Sequence, residues 1–287
     1  MRFGVSLFPL RHHQVAEVAV VADELGYDCV FLGEHVISPI EMTSTYPYAP
    51  STEDAPAYHP GLPFFDPYAA LAFVAARTSQ IKLCLSLSIV PLHDPYHLAR
   101  SVSTIDLFSE QRFLFGIGAG WLREEFEILG MGWDDRGRRL DEVLDLLEVL
   151  WNEPEPEFNG RFYTLPRSMM EPKPGSRPHP PYIFGGITKS AVRRTAERGD
   201  GWFGVGVDPD ATAEIVERIH DRRAPGRPPV EITVGLPPDA AIDDRLIDAY
   251  ERAGVDRLVV RPWQKGRDAS ANLGKLAASI GLRTARS

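Results

Sequence analysis

Only two of the 287 residues are cysteine, Cys29 and Cys84. Each lies in an apolar, strand-like run. Both are therefore read as buried reduced thiols rather than as a disulfide or as metal ligands. No stretch reaches the roughly 20 apolar residues of a membrane-spanning helix. The opening MRFGVSLFPLRHH has no long apolar run after its basic start, which argues against a signal peptide. A cytoplasmic location is the expectation. Positive charge is in deficit, with 31 Lys and Arg against 40 Asp and Glu and a net charge of −9. That balance disfavours unselective binding to nucleic acid or to anionic membrane, although it allows a local basic pocket for a phosphate. There is no G-x-S-x-G and no P-loop, so serine-hydrolase and NTPase chemistry has no support. The histidines form no ligand set: His12 and His13 are adjacent, and His59, His93 and His97 lack usable spacing. No metal is expected.

What is present is ordinary globular composition, 44% hydrophobic and 25% charged, on a chain long enough to bury a large core. Strand-like and helix-like runs alternate. RFGVSLF is followed by HHQVAEVAVVADELG, whose Val15, Val18, Ala19, Ala22 and Leu25 share a helical face, with Gly26 as the stop. Then come the strand YDCVFLGEHV and the helix DPYAALAFVAART, which begins with Asp66 as N-cap and Pro67 at the first helical position. IKLCLSLSIV is a strand, and DPYHLARSVSTIDLF repeats the Asp-Pro helix start at Asp94 and Pro95. RFLFGIGAGW, PYIFGGI, GWFGVGV, EITVGL and RLVVRPW supply further strands, each followed by a helical pattern. About eight strand–helix units fit an α/β protein of one domain spanning 1–287, a (β/α)8 TIM barrel rather than an open sheet. Two insertions interrupt it. Residues 37–65, after strand two, carry Tyr46, Tyr48, Tyr58, His59, Phe64 and Phe65. Residues 152–180, before strand five, are rich in proline. The first leaves the catalytic face of such barrels and reads as an aromatic lid.

FLFGIGAGW places glycine at 116, 118 and 120. A Rossmann fingerprint needs G-x-G-x-x-G after the first strand, so this is not one. Alternate residues of a strand share a face. The three glycines should therefore look into the barrel, while Phe113, Phe115 and Ile117 pack on helices. Bare glycine there leaves room for a flat ring or a phosphate, or meets a packing requirement between strands. On strand three the same alternation turns Ser86 and Ser88 inward, with Ser88 near the rim. There its hydroxyl bonds a ligand or its own backbone. Glu34 and His35 end strand two, where barrel catalytic groups sit. They read as a proton-exchanging pair or as a rim ion pair. The charged run EEFEILG reads mostly as a solvated face. Gly185 and Gly186 end a strand just before a helix, so the N–H groups of Gly186, Ile187 and Thr188 can take an anion.

The pieces ADELGYDCVFLGEHV, FDPYAALAFVAARTSQIKL, DPYHLARSVSTIDLFSEQRFLFGIGAGWLREEF, RGRRLDEVLDLLEVLW, FNGRFYTLP and PPYIFGGITKSAVRRTAERGDGWF, in that order, resemble one family. It is the luciferase-like flavin- or deazaflavin-dependent oxidoreductases, in the branch that uses coenzyme F420. The resemblance runs from residue 1 to about 264, and no site is assigned after Trp263. It implies a (β/α)8 barrel with a flavin-like ring in its mouth. It also implies a non-prolyl cis peptide after strand three, at the place matching Ser88-Ile89. Glu34-His35 matches the acid–His pair beside the deazaflavin, with Glu where some members have Asp. Gly118, Gly120 and Trp121 would border the cofactor, and Gly185, Gly186 and Ile187 match the phosphate-binding turn. The activity implied is hydride transfer between F420 and a small organic substrate, with His35 moving the balancing proton. The lid aromatics point to an apolar or cyclic substrate. The runner-up is an FMN-dependent monooxygenase, and a cofactor-binding barrel without turnover is the reading from another class. Relatives commonly form dimers through helices near strands two to four, so a homodimer is expected.

Overall fold

The computed structural model describes residues 1–47, 58–238 and 240–282. Eight parallel strands form the barrel: β1 (Arg2–Ser6), β2 (Cys29–Leu32), β3 (Lys82–Leu85), β4 (Phe113–Gly118), β5 (Tyr182–Gly185), β6 (Gly201–Val205), β7 (Glu231–Gly235) and β8 (Arg257–Val260). They pair in the order β3-β2-β1-β8-β7-β6-β5-β4, and the pairing of Leu83 with Phe113 and of Cys84 with Leu114 closes the ring. The helices between and after them are α1 (His12–Glu24), α2 (Pro67–Ala75), α3 (Pro95–Phe108), α4 (Arg123–Ile128), α5 (Arg136–Asn152), α6 (Lys189–Arg198), α7 (Pro209–His220), α8 (Asp244–Arg252) and α9 (Ala269–Ser279). The insertion before β5 carries a small antiparallel hairpin, Phe158–Asn159 with Thr164–Leu165. This is the expected (β/α)8 architecture, with both insertions where the sequence places them. Among the described residues no helix is long and apolar enough to cross a membrane.

Local chemistry explains the helix starts. Asp66 accepts from the Ala69 N–H at 2.7 Å, and Asp94 accepts from the Tyr96 and His97 N–H groups at 3.0 and 2.9 Å. Proline follows each at a position where its missing N–H has no partner to lose. Asp208-Pro209 repeats the device at α7.

Strand alternation divides the core into two shells. Cys29, Phe31, Cys84, Leu114, Ile183, Phe203 and Val259 fill the inside of the barrel. Val30, Leu83, Phe113, Phe115, Ile117 and Phe184 face the helices. Both cysteines are buried and unpaired. At the N-terminal end of the strands Arg257, almost fully buried, is ion-paired with Asp28 and Glu231. That end is closed by charge, and the opposite end is left open.

Candidate active site

A cavity of about 330 Å3 lies at the C-terminal mouth of the barrel. That volume is in the range of small-molecule sites. Phe31, Leu87, Phe203 and Val259 supply apolar wall, and Glu34, His35, Arg136, Thr188 and Arg194 supply polar groups. Of the residues named from sequence, Glu34, His35, Ile89, Gly118, Gly120, Trp121, Gly185, Gly186 and Ile187 all line it.

Glu34 and His35 do not bond one another. The chain turns at the end of β2, and each side chain finds its own partner. His35 Nδ1 lies 2.8 Å from Oε2 of Glu125, a carboxylate with no exposed surface. Glu125 Oε1 also accepts from the backbone N–H of Val36 at 2.6 Å and of Ile37 at 3.2 Å. Because Nδ1 is engaged, Nε2 is the ring nitrogen left to exchange a proton or bond a ligand. Glu34 Oε1 lies 2.9 Å from His93 Nε2. Its Oε2 accepts from the Ile89 N–H at 2.6 Å and the Ser88 hydroxyl at 3.0 Å. The arrangement contains two carboxylate–imidazole pairs, where the sequence offered one.

Glu125 and His93, the partners of His35 and Glu34, are site residues that the sequence does not mark. Glu125 falls in EEFEILG, read as a solvated face. Instead α4 turns Glu125 and Phe126 inward. Its neighbour Glu124 accepts from the Thr43 N–H and hydroxyl at 2.6 and 2.7 Å and from the Ser44 N–H at 3.0 Å. Desolvation opposes the charge on Glu124, but the bonds from Ser44 and Thr43 outweigh it and hold the carboxyl well below the usual range. Two adjacent glutamates thus tether the first insertion, one to 43–44 and one to 35–37. No local signal separates them from Glu127.

The lid is aromatic as expected, though not every expected residue takes part. Tyr46, Tyr58, Phe64 and Trp121 line the cavity around His35. The His35 ring centroid lies 4.7 Å from Tyr58, 4.9 Å from Phe64 and 5.7 Å from Trp121. Burial, helped by the charge of Glu125, raises the pKa of the Tyr58 hydroxyl, which donates to Ser38 at 2.7 Å. His59 is exposed and Phe65 packs on the outer core. Tyr48 lies outside the described residues.

Strand three departs from the sequence reading in two ways. The non-prolyl cis peptide joins Ser86 to Leu87, not Ser88 to Ile89. Regular pairing stops at Leu85, one residue before that bond, and resumes at Ser88–Ile89 beside Ile117–Gly118. The interruption also reverses the alternation. Leu87, expected to face the helices, packs inside the barrel, while Ser88 is fully buried behind the wall with its hydroxyl 2.8 Å from Tyr68 and bonded to Glu34. Ser88 is therefore not a cavity-lining residue.

Leu87 also explains the alternating glycines. A Cβ on Gly118 would stand 3.3 Å from Leu87 side-chain atoms, and one on Gly185 would be 3.1 Å from Leu87 Cγ with Cδ1 nearer still. A Cβ on Gly116 would stand 2.6 Å from the carbonyl carbon of Leu85, with its oxygen nearer still. Gly116 and Gly118 face inward as expected. The space beside Gly118 and Gly185 is taken by Leu87, which itself forms cavity wall. Gly120, beyond the strand, occupies a turn at φ +84°.

The turn before α6 has the features of an anion site. Gly186 sits at φ +103°, and the Trp202 indole N–H donates to its carbonyl at 3.0 Å. Thr188 caps α6 by accepting from the Ala191 N–H at 3.2 Å. Arg194, on the same helix, lines the cavity while bonded to Asp141 at 2.6 Å. Arg136 lines it from α5, with its guanidinium 3.6 Å above the Trp133 ring. Helix-start N–H groups in a cavity that two arginines also line suit a phosphate.

The luciferase-like monooxygenase family matches residues 1–283. The chain belongs to this family. The match passes Trp263, where the recognised resemblance weakens. The chain is 30% identical over 295 residues to an uncharacterized protein of Mycobacterium tuberculosis, covering 98% of this chain and 99% of that one. It is 29% identical over 190 residues to an FMNH(2)-dependent dimethylsulfone monooxygenase of Pseudomonas putida, covering 65% of this chain and 47% of that protein. Among solved structures, an F420-dependent secondary alcohol dehydrogenase in complex with an F420-acetone adduct superposes with a TM-score of 0.75 at 14% identity, over 97% of this chain and 98% of that one. At that identity the likeness speaks for the barrel fold. Relatives and fold neighbours thus include both F420- and FMN-dependent enzymes.

The residues present fit such a group. The barrel mouth joins an apolar pocket for a ring to a basic, N–H-rich turn for a phosphate. Gly186→Val should weaken cofactor binding by about tenfold or more, because φ +103° strains any residue with a Cβ. Calorimetric titration with each candidate cofactor checks this, and an unchanged affinity would place the phosphate elsewhere.

Proposed function

We propose that this protein is an oxidoreductase that moves a hydride between coenzyme F420 and a small organic substrate in the barrel mouth. The observation that carries the reading is the His35–Glu125 pair, a 2.8 Å contact to a fully buried carboxylate at the edge of a largely apolar cavity. When bound, the deazaflavin supplies two-electron hydride chemistry at its C5 carbon. The chain's own residues supply the rest. Leu87, Phe31 and Phe203 give an apolar bed for a ring, and the turn at Gly185, Gly186 and Ile187 holds a phosphate. The aromatic lid shields the site from water. Its rings favour an apolar or cyclic substrate through stacking and burial. His35 holds or moves the balancing proton at Nε2, and Glu125 fixes the imidazole orientation.

A second reading, FMN-dependent oxygenation, is favoured by the sequence likeness to the dimethylsulfone monooxygenase. The same bed and turn would serve a flavin. Titration of the purified protein with F420 and, separately, with FMN decides between them, followed by reoxidation of the bound reduced cofactor with candidate acceptors. Tight binding of F420 and substrate-dependent reoxidation without oxygen are expected. Preference for FMN with oxygen-dependent turnover would overturn the first reading in favour of the second. Binding without turnover on any acceptor would leave a cofactor-binding barrel.

A further inference from the structure

Three donors converge on the Glu34 carboxylate, and all three lie on the segment between β3 and α3. The Ser88 hydroxyl is 3.0 Å away, the Ile89 N–H 2.6 Å and His93 Nε2 2.9 Å. The Tyr68 hydroxyl, 2.8 Å from Ser88 Oγ, holds the segment from behind. Immediately before it comes Leu87, which packs against Gly118 and Gly185 and forms cavity wall. One carboxylate at the end of β2 therefore anchors the stretch that carries the wall. Glu34 is almost fully buried, and among its partners His93 alone can carry a compensating charge. The His93 side chain is about one-fifth exposed (22%), so it exchanges protons with solvent.

We propose that His93 is a positioning residue for the cofactor: as the imidazolium it holds Glu34, and through Glu34 it holds the Leu87 wall. The inference rests on reading the cavity as the cofactor site. A neutral imidazole still donates to Glu34, but it leaves the buried carboxylate with only neutral donors and the segment less firmly held.

The groups facing His93 agree. They are Glu34 at the end of β2, Tyr68 on α2 with its ring centroid 5.8 Å away, Asp66 at the α2 N-cap, and Glu125 on α4. Burial opposes the charge on His93. The bond to Glu34 and the charges of Glu34, Asp66 and Glu125 outweigh it, and the pKa is raised. The hold is therefore complete below the ordinary histidine value and is lost as pH rises through the raised one.

The test compares wild type with His93→Gln, which keeps an N–H donor and cannot titrate. Dissociation constants for F420, and separately for FMN, are measured between about pH 6 and about pH 9. The ratio of variant to wild-type constant cancels the ligand's own titration. That ratio should be about tenfold at the acid end and fall toward one at the alkaline end. Leu87→Ala, which leaves His93 in place but removes the wall through which it acts, should weaken binding and flatten the pH profile. Parallel profiles for wild type and His93→Gln overturn the proposal.

Nitrogen NMR of histidine-labelled, cofactor-free protein separates the two inferences. The His93 midpoint should lie above the ordinary value and fall in Glu34→Gln. If neither cofactor binds at any pH, the cofactor reading fails while the Glu34–His93 pair is still judged by this titration. An ordinary His93 midpoint overturns the pair.

Discussion

His35→Ala is expected to lower turnover by about 10²–10⁴-fold while cofactor affinity stays within about threefold. The alanine removes the imidazole whose Nε2 is the one nitrogen not engaged by Glu125. It leaves the Gly185–Ile187 turn and the Leu87 wall untouched, so binding should hardly change. The companion Glu125→Gln separates orientation from charge. It keeps a side chain able to accept from Val36 and Ile37, while His35 Nδ1 loses its carboxylate partner. Its turnover should fall less than that of His35→Ala, because the imidazole itself is retained. Both are measured by reoxidation of bound reduced cofactor, on whichever acceptor first supports the wild-type reaction, beside an independent binding titration. Wild-type turnover in His35→Ala would remove the proton-transfer role.

Gly116→Ala should produce the largest loss of stability. The new Cβ would stand 2.6 Å from the carbonyl carbon of Leu85 on the neighbouring strand and closer still to its oxygen. Neither atom belongs to a side chain that can rotate away. Relief requires β3 and β4 to part where they close the barrel. Overpacking a core costs about 1–3 kcal/mol when side chains can adjust, so about 3 kcal/mol or more is expected here. That corresponds to a melting temperature lowered by about 6–12 °C or more, or to failure to fold. Gly118→Ala is the control. Its nearest neighbours are Leu87 side-chain atoms at 3.3 Å, which can yield, and its loss should be much smaller. Thermal melts of the two variants side by side check the contrast. Equal melting would show that Leu85 and Gly116 do not approach as described.

These contrasts mark what could be read along the chain. The eight strand–helix units, the Asp-Pro helix starts and the inward face of Gly116 and Gly118 follow from periodicity and capping, which act within a few residues. A strand's pleat needs no knowledge of its partners. The Gly-Gly turn at 185–186 was legible for the same reason, because a strand end followed by a helix start is a local event.

The partners of the polar side chains were a different matter. His35 meets Glu125 across 90 residues of sequence, and Glu34 meets His93 across 59. Nothing near Glu125 marks it as buried, because the fate of a charged residue on a short helix depends on what the barrel brings opposite it. Ser88 was misplaced by a rule that holds only while a strand stays regular. Beyond Leu85 the chain leaves the ladder, and the side chain of Leu87 turns into the barrel. By itself the sequence determined the barrel, its open end and the strand ends that border the cavity, since these follow from local backbone preference and the hydrophobic period. Tertiary structure alone decided which carboxylate serves which histidine and which side chain walls the cavity, because those pairings exist only once β3 has met β4 and the ring is closed.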